Sequence, residues 1–128
     1  MDAKGERPAT TNIYTPDAET TNEPLLLGNF VSRHHRGYVG KLRTAYTLDW
    51  HDNGQVVGTY HYPSRSGVTY RLEGQLEKRK SLRLTEYTND RKSADCELKF
   101  NSRSNAYEGT MYNTDGRRFD MKIGDISD

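Results

Sequence analysis

A chain of 128 residues holds one domain and at most a tail. Its 19 basic and 18 acidic side chains leave a net charge of +1, which excludes the one-signed electrostatic footprint of a nucleic-acid binder. Apolar residues make up only 32%, low against the usual near-half, and no apolar run is long enough to cross a bilayer as a helix.

Residues 1–24, from Met1 to Pro24, are rich in Thr, Pro, Asp, Glu and Asn, with Ile13 and Tyr14 as the large apolar groups. Such a segment buries too little surface to offset its ordering entropy. It reads as a disordered leader or linker, followed by a single domain over 25–128. A tethering tail suits a periplasmic or extracellular protein that has lost its leader, or otherwise a cytoplasmic one. The single cysteine, Cys96, rules out an internal disulfide.

Leu25 to Val31 form an apolar run that reads as a first strand, and Ser32 to Gly37 read as a loop. Leu42, Thr44, Tyr46, Leu48 and Trp50 then alternate with polar neighbours, the period of a strand with one apolar face. Asn53-Gly54 is a strong hairpin signal. Beyond it, Val56, Gly58, Tyr60 and Tyr62 share one face. Val68, Tyr70, Leu72, Gly74 and Leu76 repeat the pattern, and so do Leu82, Leu84 and Glu86. Ala94, Cys96, Leu98 and Phe100 form another apolar face; Tyr107, Gly109 and Met111 follow. Asn113 to Gly116 turn the chain again, and Phe119, Met121 and Ile123 close the set.

Eight short strands joined by short turns must be antiparallel to their neighbours. Nine tyrosines against three phenylalanines fit half-wet strand positions. The pattern predicts an all-β fold: an eight-stranded antiparallel up-and-down meander that closes into a barrel, which removes exposed edges.

Two stretches resemble the first half of an avidin-type barrel: Gly28-Asn29-Phe30, and Asn53 to Tyr60 followed by Tyr70 to Gly74. Lipocalins open with a related motif, and both belong to the calycin group of ligand-holding barrels. The rhythm of Gly58 to Tyr62, Leu72 to Gly74, Leu82 to Glu86, Gly109 to Met111 and Asp115-Gly116 also resembles a recurrent uncharacterised domain of exported bacterial proteins. The calycin resemblance implies a small-molecule site in which Tyr60 is a ligand-contacting tyrosine. Biotin itself does not follow, because the tryptophans that would wall its pocket are absent; Trp50 is the only one and lies in another strand.

The candidate ligand-binding residues are Tyr46, Trp50, Tyr60, Tyr62, Tyr70 and Glu86. On one face the aromatics either line a pocket or fill the barrel, since an eight-stranded interior is just wide enough for either. Glu86 is a carboxylate on an otherwise apolar face, suited to act as a general acid, to bind a ligand cation, or to meet water or an arginine at a strand end. His34-His35 sit without a companion ligand in register, so no metal is expected. No phosphate loop, nucleophile elbow or Cys-x-x-Cys occurs. The expectation is therefore a non-enzymatic binding module without cofactor, its partner a small molecule or a protein. The alternative is a structural or protein-interaction domain with a solid core, an inhibitor or envelope accessory of an exported protein.

Overall fold

The computed structural model describes residues 29–65 and 67–126. The expected leader over 1–24, and Leu25 to Gly28 of the expected first strand, lie outside them. Eight strands follow in order: β1 (Phe30–Val39), β2 (Leu42–His51), β3 (Gln55–His61), β4 (Tyr70–Glu77), β5 (Ser81–Thr88), β6 (Arg91–Asn101), β7 (Ala106–Asn113) and β8 (Arg118–Ile123). Each pairs antiparallel with the next, and β8 pairs with β1 to close the barrel. The up-and-down order is the one the spacing of turns predicts. Among the described residues no helix is long and apolar enough to cross a membrane.

The segment Ser32 to Gly37 is not a loop. It forms the middle of β1, pairing with Asp49 to Thr44 of β2. Its polar content hides the alternation: His35 and Val39 are buried, whereas His34 and Arg36 face solvent. Val68, expected on a strand, is exposed and precedes β4.

The turns show why the strands reverse where they do. Asn89 and Asp90 both have positive φ, 51° and 66°, between the paired residues Thr88 and Arg91. That is the twist a two-residue hairpin needs, and Asn and Asp tolerate it best after Gly. Gly54 and Gly116 take φ of 93° and 94° in the two hairpins marked by Asn-Gly and Asp-Gly.

The interior is packed by a repeated small-against-large device. Gly58 pairs with Leu48, Gly74 with Leu84, and Gly109 with Leu98. All three glycines lie on the inward face, and the neighbouring strand comes so close that a Cβ there would meet a backbone oxygen at 2.1, 1.8 and 1.9 Å, respectively. The leucine opposite covers the space that the glycine leaves. Leu72, Leu82, Val56, Met111, Met121 and Ile123 fill the rest.

Cys96 belongs to this core, 1% exposed, and burial pushes its thiol well above the ordinary range. Reactivity needs an exposed thiolate. A maleimide is therefore expected to leave the native protein unlabelled and to label it fully in denaturant; mass spectrometry reads both states. Labelling of the native protein within minutes would contradict this packing.

Candidate functional site

The two ends of the barrel differ. At one end lie the turns β2–β3, β4–β5 and β6–β7 together with the segment after β8. This end is plugged. Trp50, at the end of β2, stacks on Tyr107 with ring centroids 5.8 Å apart, and Tyr107 meets Phe100 at 5.4 Å. The Trp50 indole N–H donates to His35 Nε2 at 3.0 Å. On its other side His35 Nδ1 donates to the Gly124 carbonyl at 3.0 Å, and the Asp125 carbonyl lies 3.3 Å away. The Gly124 N–H donates back to the Arg36 carbonyl at 2.7 Å, and Ile126 to Asn105 at 3.1 Å. Residues 124–126, after β8, thus strap the plug in place.

This arrangement requires neutral His35, with the proton on Nδ1 and the lone pair of Nε2 facing the indole. Burial holds its pKa below the ordinary imidazole value, against an upward pull from the two carbonyls. The folded state therefore binds a proton less readily than the unfolded chain. Stability is fully present above the unfolded value near 6.5 and is lost as pH falls below it toward the folded value. The urea midpoint is expected to drop between about pH 7.5 and pH 5, and the emission of Trp50, the single tryptophan, to change as its acceptor is lost. A midpoint flat across that range would show that His35 does not carry the plug.

The other end is open. The turns β1–β2, β3–β4, β5–β6 and β7–β8 lie at this end, and residues of the first, second and fourth help line a cavity of about 720 Å³. Tyr60 near the end of β3 pairs with Tyr70 at the start of β4, and Tyr62 follows two residues after Tyr60, on the same face. The three rings pack on one another: Tyr60 stacks with Tyr70 at 5.0 Å, and Tyr62 stands edge-on to both, at 5.6 and 5.7 Å. Tyr60 is 1% exposed, while Tyr62 and Tyr70 are half-buried and line the cavity.

Glu86 lies at the base. Its pairing across β4 with Leu72 aims it inward, and it is 4% exposed. The Tyr60 hydroxyl donates to Glu86 Oε2, and the Ser93 hydroxyl donates to Oε1 at 2.6 Å. Because Ser93 gives its one hydrogen to Glu86, the Thr88 hydroxyl, 2.8 Å away, donates to Ser93. Ser93 reaches Glu86 because the β5–β6 register shifts there: Glu86 pairs with Ala94 but Tyr87 with Lys92. One extra residue on β6 is a bulge, and bulges re-aim side chains. Burial, with the Glu86 carboxylate second, pushes the Tyr60 phenol far above its ordinary range, so it stays a donor. Tyr62 is also raised by burial, and the cation of Arg65 pulls the other way.

Above these residues the rim carries Lys41, Arg65, Arg117 and Arg118, with Asp120. Arg117 is held by Asp115 at 2.8 Å, and Arg118 lies over Tyr112 at 5.5 Å. No ion pair seen among the described residues includes Glu86, and none of them form a group of three His, Cys, Asp or Glu side chains able to hold a metal.

Of the six candidate residues, Tyr60, Tyr62, Tyr70 and Glu86 converge on the mouth. Tyr46 lies beneath them, 5.4 Å from Tyr60, with its hydroxyl donating to the Lys122 carbonyl at 2.9 Å. Trp50 belongs to the plug. Sequence reading missed His35, which it placed in a solvated loop, and Ser93. A count from Asn89-Asp90 would have found Ser93, since Thr88 to Glu86 spans two steps and Arg91 to Ala94 three.

The fold and site together define a closed eight-stranded antiparallel barrel, plugged at one end and open at the other over a buried carboxylate. Comparisons with family models, curated proteins and solved structures give no significant match.

Proposed function

We propose that the chain is a non-enzymatic binding module of calycin-like type that holds a small molecule in the barrel mouth. The observation that carries this reading is Glu86: a buried carboxylate with hydroxyl partners and no cation among the described residues, at the base of an open cavity. A carboxylate removed from water is costly unless its charge is answered. A fold that keeps one at the bottom of a cavity supports a ligand that answers it. The cavity has the size of small-molecule sites, with aromatic walls around Glu86 and charged side chains at the rim. The solid lower barrel confines the ligand to the mouth.

A thermal-shift screen of small metabolites tests this. A ligand is expected to raise the melting temperature of the native chain by several degrees and to leave Tyr62→Ala unaffected. Hits that stabilise both proteins equally would place binding elsewhere and remove the reading.

A second reading, a protein-interaction domain such as an inhibitor or envelope accessory of an exported protein, is favoured by the outer surface. A groove there is lined by Arg36, Tyr38, Arg43 and Lys122. Under that reading, charge reversal at Arg36 and Arg43 abolishes capture of the partner while the mouth variant Tyr62→Ala retains it.

A further inference from the structure

Resting on the mouth as the ligand site, we infer that its ligand is a small zwitterion, with an ammonium group received by Glu86 and the tyrosines, and an anionic group held at the rim. Each half follows from a separate set of residues.

The lower half is built for a cation. Glu86 Oε1 and Oε2 each accept one hydroxyl hydrogen, from Ser93 and Tyr60. A carboxylate oxygen has two acceptor positions, so each keeps one open. Around it stand the rings of Tyr60, Tyr62 and Tyr70, mutually stacked and edge-on within 5.0–5.7 Å. Aromatic walls beside a carboxylate are the chemistry that recognises an organic ammonium: the ring faces attract the positive charge, and the carboxylate takes its N–H hydrogens. A neutral hydroxyl would leave the charge of Glu86 unanswered. An anion would be repelled by it.

The upper half has the opposite sign. Lys41, Arg65, Arg117 and Arg118 line the same cavity against Asp120. Arg117 is already held by Asp115 and Arg118 lies over the Tyr112 ring, which leaves Lys41 and Arg65, both on exposed turns, best placed to meet a ligand. Arg65 sits beside Tyr62: its backbone N–H donates to the Tyr62 carbonyl at 2.8 Å. A cation alone would have to pass this rim against repulsion. A molecule with an anionic group at its outer end would be drawn in, and its charges would match both layers.

The test is an NMR titration of the full chain, reading the ring signals of Tyr62 and Tyr70. Five probes separate the charges: 4-aminobutyrate, O-phosphoethanolamine, butylamine, butyrate and 1-butanol. At least one of the two zwitterions is expected to bind at least about tenfold more tightly than butylamine, and butylamine more tightly than butyrate or butanol. Whichever zwitterion binds tighter identifies the anionic group as carboxylate or phosphate. Arg65→Ala, on an exposed turn, is expected to reduce the zwitterion to the affinity of butylamine. Glu86→Gln, confirmed folded by circular dichroism, is expected to abolish the preference for ammonium compounds. If butanol or butyrate binds as tightly as the zwitterions, or Glu86→Gln changes nothing, the ligand class is wrong while the mouth remains the site. Butylamine binding as tightly as both zwitterions would likewise overturn the assignment, by removing the rim from it. If no probe moves the tyrosine signals at roughly 10 mM, the ligand class fails; failure of the mouth itself is read separately, from metabolites that stabilise the chain and Tyr62→Ala alike.

Discussion

Gly74→Ala is expected to destabilise the protein by about 3 kcal/mol or more, the range of severe core substitutions. An ideal Cβ at this position falls 1.8 Å from the Arg83 carbonyl oxygen and 2.8 Å from the Leu84 Cα. Both are backbone atoms of the paired strand β5, so no rotamer change relieves the clash; β4 and β5 must separate. That separation opens the interior where Leu84 covers the glycine, and adds lost packing to the strain. Gly116→Ala serves as control. Nothing lies within 4 Å of its added Cβ, and only its φ of 94° is unfavourable, so its loss is expected near 1 kcal/mol. Urea denaturation of the two variants compares them. A similar small loss for both would mean that β4 and β5 are not in such close contact.

Glu86→Gln is expected to raise stability by about 1 kcal/mol while abolishing the preference for ammonium ligands. The substitution keeps the shape and one oxygen to accept from Tyr60, and its amide can donate to Ser93. It removes a charge that no cation among the described residues answers. For a barrel of this size the gain corresponds to a rise of roughly 4–8 °C in Tm. A group that weakens the fold at the place where a cavity opens is the pattern of a functional site. A fall in stability on Glu86→Gln would indicate instead that the carboxylate is a structural anchor for Tyr60 and Ser93.

How legible all this was in the sequence depended on distance along the chain. The strands from β2 to β8 could be read because Leu82-x-Leu84-x-Glu86 or Ala94-x-Cys96-x-Leu98 show their period locally, and Asn53-Gly54 carries its turn with it. β1 could not. Its inward histidine, His35, looks like a solvated loop residue until the indole of Trp50 and the carbonyls of Gly124 and Asp125 meet it, and these lie 15, 89 and 90 residues away. The site divided in the same manner. Tyr60, Tyr62, Tyr70 and Glu86 were visible as inward side chains. Trp50 shares their face in sequence, but it sits ten residues before Tyr60 across the Asn53-Gly54 turn, and so at the opposite end of the barrel. Alternation gives the face of a strand and says nothing of height along the axis. Which end is plugged follows from the stacking of Trp50 on Tyr107 and from the closing segment, and both are long-range contacts. The rim arginines were invisible as a group, because Arg65 and Arg117 lie on different turns that meet only when the barrel closes.

The mouth stands open over a buried carboxylate that no cation among the described residues answers. A crystal structure of the chain soaked with 4-aminobutyrate tests this most directly. The expected result is ligand density between Tyr62, Tyr70 and Glu86, with its nitrogen against the carboxylate and its carboxylate toward Arg65 and Lys41. Folding of Arg65 or Lys41 inward to pair with Glu86, with the cavity closed and no ligand bound, would contradict the account.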